Sequence, residues 1–418
     1  MSGPFEGLRV VEFGRFIAVP MCGQLLADGG ADVIKVEALH GDQTRYNGPL
    51  IPGEGRQYIN KNRGKRSIAV DLRNERVLDA VRTLATGADI VTANFRPGIA
   101  ASLGLDYETL SRVNPRLIYA ENTAFGTKGP MADAPGLDAV VQAYSGLAHF
   151  GELGPELLIN PIIDYQAALL LAWGVSTALY ERERSGHGQK LDVALLQAAL
   201  LLQNNHINEV DGVDSWRGEF IGHLKTAFVE GETWADVLEH RRLMVPHAFP
   251  RAYYGFFSAK DGMFAVAAGS KELQHRVVGA LGIKDGWVTD DAMPDDAHAH
   301  FEATYEQVVA IYATEPAQHW IDLMRAAGVP VAPLQRHEEL LDDEQAWAND
   351  FLLRQEHDLL GAITVVAPPV KFSQTPLQAE SASPTLGRHT REVLVEAGLR
   401  ESEVDTLRDT GAITEFDR

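Results

Sequence analysis

Short apolar segments alternate with helix-forming segments along the first 125 residues of the chain. The apolar segments are residues 8–13, 32–36, 68–72, 89–93 and 117–120, and the helical ones are residues 20–27, 75–85 and 107–113. Largely apolar strands separated by helices are typical of a parallel sheet that is covered on both faces. The pattern therefore predicts an α/β fold with a Rossmann-like parallel sheet.

The alternation continues to about residue 205 and then changes. A helix over residues 165–181 ends at a stop with two glycines, and a strand at 190–193 and a helix over 195–202 follow. Residues 208–251 are polar with no clear period. Beyond them the pattern indicates a strand at 263–267 and helices at 271–281, 301–312 and 317–327. We expect a large domain over residues 1–224 and a smaller α/β domain over residues 225–335.

Length and composition agree with two domains and exclude some classes of protein. The chain has 418 residues, more than the roughly 250–300 at which one hydrophobic core stops growing. No apolar run approaches the roughly 20 residues of a membrane span, and the N-terminus lacks the pattern of a secretory signal. Cys22 is the single cysteine, so an intrachain disulfide is excluded. We expect a cytoplasmic protein that is not embedded in a membrane.

The formal net charge of −21 opposes binding to nucleic acid, whose affinity rests largely on Lys and Arg contacts to phosphate. An anionic ligand would therefore need a local basic site. One candidate is the basic cluster, defined as Lys61, Arg63, Lys65 and Arg66, directly before a strand-like segment. The cluster is interpreted either as a phosphate contact or as a solvated loop.

Motifs for several other chemistries are missing. No Gly-x-Gly-x-x-Gly follows the first strand, and neither a phosphate-binding P-loop motif nor a Gly-x-Ser-x-Gly elbow occurs. His298 and His300 follow an acidic stretch, but no partner ligands stand at helix or hairpin spacing. We therefore expect no bound dinucleotide and no metal.

Asp164 stands at the end of an apolar segment and at the start of the predicted helix. Asp is a common N-cap residue, which stabilises a helix by about 1 kcal/mol without any chemistry. A carboxylate in this place is also partly desolvated and is held ionised by the positive end of the helix, so that it can act as a nucleophile. The position alone leaves both interpretations open.

A series of motifs along almost the whole chain resembles the family III CoA-transferases, the group of the formyl-CoA and carnitine-CoA transferases. In order, the motifs are residues 25–37 (LLADGGADVIKVE), 62–68 (NRGKRSI), 94–98 (NFRPG), 103–105 (LGL), 114–119 (NPRLIY), 142–147 (QAYSGL) and 384–390 (PTLGRHT). Each motif alone is weak, but so many in one order are very hard to obtain by chance.

The resemblance implies that Asp164 is the nucleophile and that the enzyme moves CoA from an acyl-CoA donor to a carboxylate acceptor. The implied intermediate is a covalent aspartyl-CoA thioester, formed without a metal or another cofactor. The resemblance also implies that residues 336–418 complete the large domain and that two chains interlock as a homodimer. Acyl-CoA and small carboxylates are thus the expected partners.

The family's CoA contacts correspond to positions in four segments of this chain. They are Ile17 and Ala18; Val70, Asp71, Leu72 and Arg73; Asn94, Phe95 and Arg96; and residues 135–138, of which Asp138 matches an acidic residue near the reaction centre. Arg73 and Arg96 are interpreted as phosphate contacts or as surface charges, and Phe95 as an adenine contact or as core packing.

Some positions depart from the formyl-CoA transferase pattern. Ile17 replaces a glutamine, and Ala38, Ser102 and Pro135 replace basic CoA contacts. Arg45 or the basic cluster are candidates to supply the missing phosphate contacts. Formyl-CoA and oxalate are consequently not the expected substrates, and a dicarboxylate such as succinate is a candidate acceptor.

An acyl-CoA racemase of the α-methylacyl-CoA racemase branch is the alternative function. Its proton-transfer pair requires a His that would fall within residues 137–141, where this chain reads LDAVV. Two-base proton exchange would therefore lack one base. Acceptor selectivity is expected from residues 206–255, which carry the aromatic and histidine side chains Trp216, Phe220, His223, Trp234 and His247.

Overall fold

The structure is a computed structural model, which describes residues 3–148, 155–245, 250–290, 294 and 296–416. The chain divides into two compact units. The large unit consists of Met1–Asn208 and Glu344–Arg418, and the small unit of Glu209–Asp343. The small unit thus begins and ends outside the interval of residues 225–335 expected from the sequence.

The large unit is built on a mainly parallel seven-stranded sheet. Its strands are β1 (Arg9–Phe13), β2 (Asp32–Glu37), β5 (Arg66–Val70), β6 (Ile90–Ala93), β7 (Ile118–Thr123), β8 (Lys190–Ala194) and β14 (Ile413–Thr414). They lie in the order β14-β5-β2-β1-β6-β7-β8, and β14 alone is antiparallel to its neighbour. Without β14, this is the strand order of a Rossmann fold. The predicted fold class is confirmed.

Helices cover both faces of this sheet. The helices of the unit are α1 (Ala18–Asp28), α2 (Arg56–Ile59), α3 (Glu75–Thr86), α4 (Ile99–Leu103), α5 (Tyr107–Val113), α6 (Asp138–Ser145), α7 (Ile162–Ser185), α8 (Leu195–Leu202), α9 (Asn204–Ile207), α16 (Glu344–Ala348), α17 (Thr390–Glu396) and α18 (Glu401–Asp409). On one face α1 and α7 bury Leu26 and Leu171 with Val10 of β1. On the other, α3, α17 and α18 pack with Val11 of the same strand. Since neighbouring residues of a strand point to opposite faces, both faces require apolar residues, which explains the continuous apolar segments.

The C-terminal segment returns to the large unit. It adds α17, α18 and β14, together with a hairpin of β12 (Leu352–His357) and β13 (Gly361–Val366). A second hairpin joins β3 (Pro49–Ile51) to β4 (Glu54–Gly55). The strands β12 and β13 are largely exposed, and β3 and β4 are very short. The sequences of both hairpins therefore carry little hydrophobic alternation.

The small unit packs helices against a three-stranded antiparallel sheet. Its strands are β9 (Tyr254–Ser258), β10 (Met263–Ala267) and β11 (Val331–Pro333), and its helices are α10 (Trp216–Ala227), α11 (Trp234–Met244), α12 (Lys271–Leu281), α13 (Gly286–Thr289), α14 (Ala297–Tyr312) and α15 (Ala317–Ala326). Phe257, Phe264 and Tyr312 lie in its core. Helices α10 and α11 lie in the segment whose sequence shows no hydrophobic period. Each has only one or two buried residues, so burial imposes no regular pattern on its sequence.

Helix α7 is long and apolar enough, by length and composition alone, to cross a membrane. One of its sides is buried in the large unit, where Leu171 and Val175 pack with α1 and the sheet. The same buried side carries two ionisable groups, Asp164 and Arg182. Its apolar character therefore fits a core helix of the large unit.

Candidate active site

A cleft opens at the carboxyl end of the central sheet, where the strand order reverses between β1 and β6. The chain leaves β1 towards β2 and β5 on one side, and leaves β6 towards β7 and β8 on the other. Ligands of open α/β sheets bind at such switch points. The cleft has a volume of about 430 Å³, and its lining includes Arg15, Phe16, Ala18, Asn94, Phe95, Arg96, Pro135, Leu137 and Asp164.

The loop after β1 is tied to the loop after β6 by a reciprocal pair of hydrogen bonds. The backbone N–H of Arg15 donates to Asn94 Oδ1 at 3.0 Å, and Asn94 Nδ2 donates to the carbonyl of Arg15 at 2.8 Å. The next residue, Phe16, has a φ of +65°, which is uncommon for a side chain with a Cβ. Asn94 therefore holds a backbone turn at the edge of the cleft.

A buried ion network supports the same loop from below. Lys35 Nζ donates to the carbonyl of Gly14 at 2.7 Å and to Glu12 at 2.9 Å, and it lies 3.1 Å from Asp42. Lys65 Nζ binds the other oxygen of Glu12 at 2.8 Å. Because these charges are paired and hydrogen-bonded inside the protein, they fix the turn at residues 14–17.

Asp164 lies in the first turn of α7 and is 8% exposed. Helix α7 begins at Ile162, so Asp164 is its third residue and not its N-cap. The cap is supplied by Asp138 of α6, whose Oδ2 accepts from the backbone N–H groups of Ile163 at 2.9 Å and of Asp164 at 3.1 Å. The N-cap interpretation of Asp164 is therefore wrong, and its carboxylate is not used for capping.

Asp138 is itself held by a side chain of its own helix. The amide of Gln142 donates to Asp138 Oδ1 and to the carbonyl of Leu158 at 3.0 Å, and its oxygen accepts from the N–H of Leu158 at 2.9 Å. Asp138 thus links α6 to the first turn of α7 and fixes the backbone beside Asp164.

The surroundings of Asp164 disfavour its ionised form. Burial, and next the negative charge of Asp138, raise the pKa of Asp164 from 3.8 to about 7, whereas the charge of Lys61 acts in the opposite direction. A carboxylate with a raised pKa is more basic and is poised to react near neutral pH. This is the type of group expected of an activated carboxylate nucleophile.

Most of the basic cluster is buried in ion pairs of the large unit. Arg63 forms two hydrogen bonds with Asp28, and Lys65 binds Glu12, as described above. Arg66 binds Asp32 with its Nε at 2.8 Å and also reaches Glu396. Arg63 and Lys65 are buried and Arg66 is half-buried, and carboxylates engage all three, which fits neither a solvated loop nor a phosphate contact.

Arg45 is fully buried and does not line the cleft. All five of its N–H donors have acceptors close by: two on Glu37, one on Glu54, and the carbonyls of Gly53 and Pro384. No donor is left for a ligand. The structure thus contradicts the prediction that Arg45 binds a CoA phosphate.

The other predicted CoA contacts fall into two groups. Ala18, Asn94, Phe95 and Arg96 line the cleft. Leu72 lines an adjoining cavity of about 490 Å³, which Asn94, Phe95 and Arg96 also line. Phe95 packs on Phe13 with ring centroids 5.3 Å apart. Asp138, described above, lines neither cavity, and the same is true of four further residues, Ile17, Val70, Asp71 and Arg73.

Those four residues have other surroundings in the large unit. Ile17 is buried directly before α1, and Val70 is a core residue that pairs with Ile413 of β14. Arg73 is exposed and forms an ion pair with Asp71 at 2.9 Å. Arg15, which sequence analysis missed, lines both cavities instead. The only signal for it is a basic residue two positions after the first strand of a parallel sheet.

The residues expected to govern acceptor choice lie in the small unit. His223 stacks on His240 with ring centroids 3.9 Å apart, beside Phe220. Trp216 and Trp234 pack against the same small core, and His247 lies outside the described residues. Elsewhere in this unit, His300 is paired with Asp285 at 2.9 Å.

Comparisons with known proteins point to one family. The chain matches the family model described as CoA-transferase family III over residues 5–390. It is 35% identical over 411 residues to the succinate–glutarate CoA-transferase of Agrobacterium fabrum, covering 94% of this chain and 95% of the relative. It is also 30% identical to the cinnamoyl-CoA:phenyllactate CoA-transferase of Clostridium sporogenes, covering 96% and 95%. The crystal structure of a CAIB/BAIF family protein from Brucella suis has a TM-score of 0.75 at 29% identity, covering 95% of this chain and 100% of that one.

Proposed function

The chain belongs to CoA-transferase family III and is a CoA-transferase, and on this premise we propose that it works through a covalent aspartyl-CoA thioester on Asp164. The observation that carries the proposal is the placement of this carboxylate. It is nearly buried, it lines the cleft at the switch point of the sheet, and its pKa is raised to about 7. Asp138 caps the start of α7, so the carboxylate of Asp164 is not engaged in capping.

The proposed reaction is a sequence of acyl exchanges. An oxygen of Asp164 attacks the thioester carbonyl of the donor, the C–S bond breaks, and a mixed anhydride and the CoA thiolate result. The thiolate then attacks the aspartyl carbonyl of the anhydride, which releases the donor acid as a carboxylate and leaves CoA on Asp164. The acceptor carboxylate repeats these steps in reverse order and leaves as acyl-CoA. The chemistry needs no metal or other cofactor, since the chain supplies the nucleophile.

The start of α1 is suited to stabilise the negative oxygens that develop during these steps. Ala18, its first residue, lines the cleft, and no side chain in the described part of the chain caps this helix end. The first N–H groups of a helix have no partner within the helix, and the dipole favours negative charge there. We infer that these donors form the oxyanion site, because those of Ile163 and Asp164 already bind Asp138.

We infer that Arg15 and Arg96 bind the phosphates of CoA, because both are exposed and line the cleft and the adjoining cavity. Arg96→Met and Arg15→Met should each raise the KM for the acyl-CoA donor about tenfold while changing kcat little. Arg73→Met is the matched control and should leave the KM unchanged. Steady-state kinetics with one donor decides this, and an unchanged KM in both variants would contradict the assignment.

The acceptor is proposed to be a small carboxylate, and a dicarboxylate is the first candidate. The relative from Agrobacterium fabrum is named for succinate and glutarate, whereas the one from Clostridium sporogenes is named for an aromatic acid. A racemase is not favoured, since residues 137–141 lack the second base. Incubation with succinyl-CoA and a panel of carboxylates should yield new acyl-CoA products, and α-proton exchange in a branched acyl-CoA with no transfer would contradict the proposal.

We also propose that the protein acts as a homodimer in the cytoplasm. The side of α7 that faces away from the core exposes Leu169, Trp173 and Tyr180, and the side chain of Trp173 is 69% exposed. Large apolar side chains in a row on one helix typically mark a protein interface. The single cysteine, Cys22, is consistent with a reducing compartment.

A further inference from the structure

Lys61 is the member of the basic cluster that does not share the ion pairs of the others. It follows α2, is 4% exposed, and its Nζ donates to the carbonyl of Gln57 at 3.1 Å. The same ammonium group lies 5.7 Å from the ring centroid of Tyr165, which is the residue after Asp164. A buried ammonium group with one carbonyl partner requires a negative charge nearby.

The charges of two carboxylates act on Lys61, first that of Asp164 and then that of Asp42. Asp42 is already committed, because it pairs with Lys35 at 3.1 Å and accepts from the N–H and the hydroxyl of Thr44, both at 2.9 Å. Asp42 Oδ2 makes no hydrogen bond in the described residues but stays beside Lys35, and Asp164 is the carboxylate whose charge acts more strongly on Lys61.

Among the described residues, the ionisable groups coupled to Asp164 are Asp138, Lys61 and the phenol of Tyr165. Asp138 is fixed in place by two backbone N–H groups and by Gln142. Its negative charge consequently remains beside Asp164 and repels a second one. Lys61 is the one cation among these neighbours.

We propose that Lys61 is a positioning residue whose ammonium group keeps the Asp164 carboxylate ionised against burial and against the charge of Asp138. The role rests on the proposed nucleophile and operates through it, without contact between Lys61 and the substrate. The other three members of the basic cluster are bound to Asp28, Glu12 and Asp32 instead.

The protonation states agree with this role near neutral pH. Burial lowers the pKa of Lys61 from 10.5 to about 8, and the nearby carboxylates partly offset the decrease. Below about pH 8 the lysine is thus mainly charged, and above about pH 7 the aspartate is mainly ionised. Between these values both groups carry the charges that the role requires.

The first test titrates Asp164 directly and needs no catalysis. The protein is labelled with carbon-13 at its aspartate carboxyl groups, and Asp164→Asn identifies the signal of Asp164. Lys61→Met should raise the titration midpoint of Asp164 by about one pH unit, because an opposite charge has been removed. Lys61→Arg, which keeps the charge, and Arg112→Met, which removes a charge from the exposed side of α5, should leave the midpoint unchanged. An unchanged midpoint in Lys61→Met would overturn the proposal.

The second test follows CoA transfer against pH in the same variants. In Lys61→Met the acid limb of the pH profile of kcat should move to higher pH by the same amount, about one pH unit, and the KM for the donor should stay unchanged. At pH 9 its rate should approach that of the wild type, because Lys61 is then largely neutral and Asp164 is ionised in both. A loss of rate that is equal at all pH values would assign Lys61 a merely structural role, and Lys61→Gln serves if the Met variant is unstable.

The two tests separate the two proposals. If Asp164 is not the nucleophile, transfer persists in Asp164→Asn, yet the titration still reports whether Lys61 governs its ionisation. If Lys61 has no such effect, the midpoint stays in place while transfer continues to require Asp164.

Discussion

Asp164 is kept in a reactive state at a cost to the folded protein. Its pKa is about 7 when folded, against an ordinary value of 3.8, so the folded state binds this proton more tightly than the unfolded state does. The ionised carboxylate therefore destabilises the fold fully above about pH 7, and this effect fades as the pH falls towards 3.8. Enzymes commonly concentrate such shifted groups in their active sites.

Asp164→Asn should consequently make the protein more stable at pH 8. The neutral amide removes a penalty of up to about 4 kcal/mol, since one pKa unit corresponds to roughly 1.4 kcal/mol. Thermal unfolding at pH 8 and pH 5 measures the effect, and the increase in Tm should be smaller at pH 5. Asp192→Asn on β8 is the control, since its side chain is exposed. An increase that is equal at both pH values would contradict the buried charge as its cause.

At the scale of elements, the contact between α6 and α7 sets the geometry of the nucleophile. Asp138 caps α7 from a different helix, so sequence spacing alone does not indicate the cap. The strands and the long helices could be predicted because burial on fixed faces imposes a periodic pattern. Helices α10 and α11 and the β12–β13 hairpin could not, because they bury few side chains.

Asp138→Asn should separate capping from electrostatics. The loss of charge weakens the cap of α7 by about 1 kcal/mol, so the Tm should fall. It also removes the repulsion on Asp164, and the acid limb of kcat should therefore move to lower pH, opposite to the change expected for Lys61→Met. Asp106→Asn is the matched control, because Asp106 caps α5 by accepting from the N–H of Thr109 at 3.0 Å.

That control should lower the Tm without moving the pH profile. If Asp138→Asn behaves in the same way, Asp138 is a cap alone, and its charge does not act on Asp164.

Some residues of the candidate site could be predicted from the sequence, and others could not. Asp164 could be predicted from its place at the start of a helix and from the family resemblance, and Arg96 from the motif around it. Arg15 and the roles of Asp138 and Lys61 depend on contacts between distant segments. Arg45 and Lys65 look like candidate phosphate ligands in the sequence, but the fold uses them in buried ion pairs.

At the scale of the whole molecule, the exposed apolar row on α7 predicts self-association. Trp173→Glu places a charge in that row and should convert the proposed dimer into a monomer, as measured by size-exclusion chromatography with light scattering. Ser402→Glu, at an exposed position of α18 outside this row, is the control and should stay dimeric. A wild-type protein that is monomeric at micromolar concentration would contradict the proposed homodimer.

The central claim is that CoA becomes attached to Asp164 during transfer. The most direct measurement is intact-protein and peptide mass spectrometry after brief incubation with succinyl-CoA, with Asp164→Ala and Asp138→Asn treated alongside. We expect a CoA adduct on the peptide that contains Asp164, present in Asp138→Asn and absent from Asp164→Ala. CoA transfer by Asp164→Ala at the wild-type rate, or an adduct on another residue, would contradict the account.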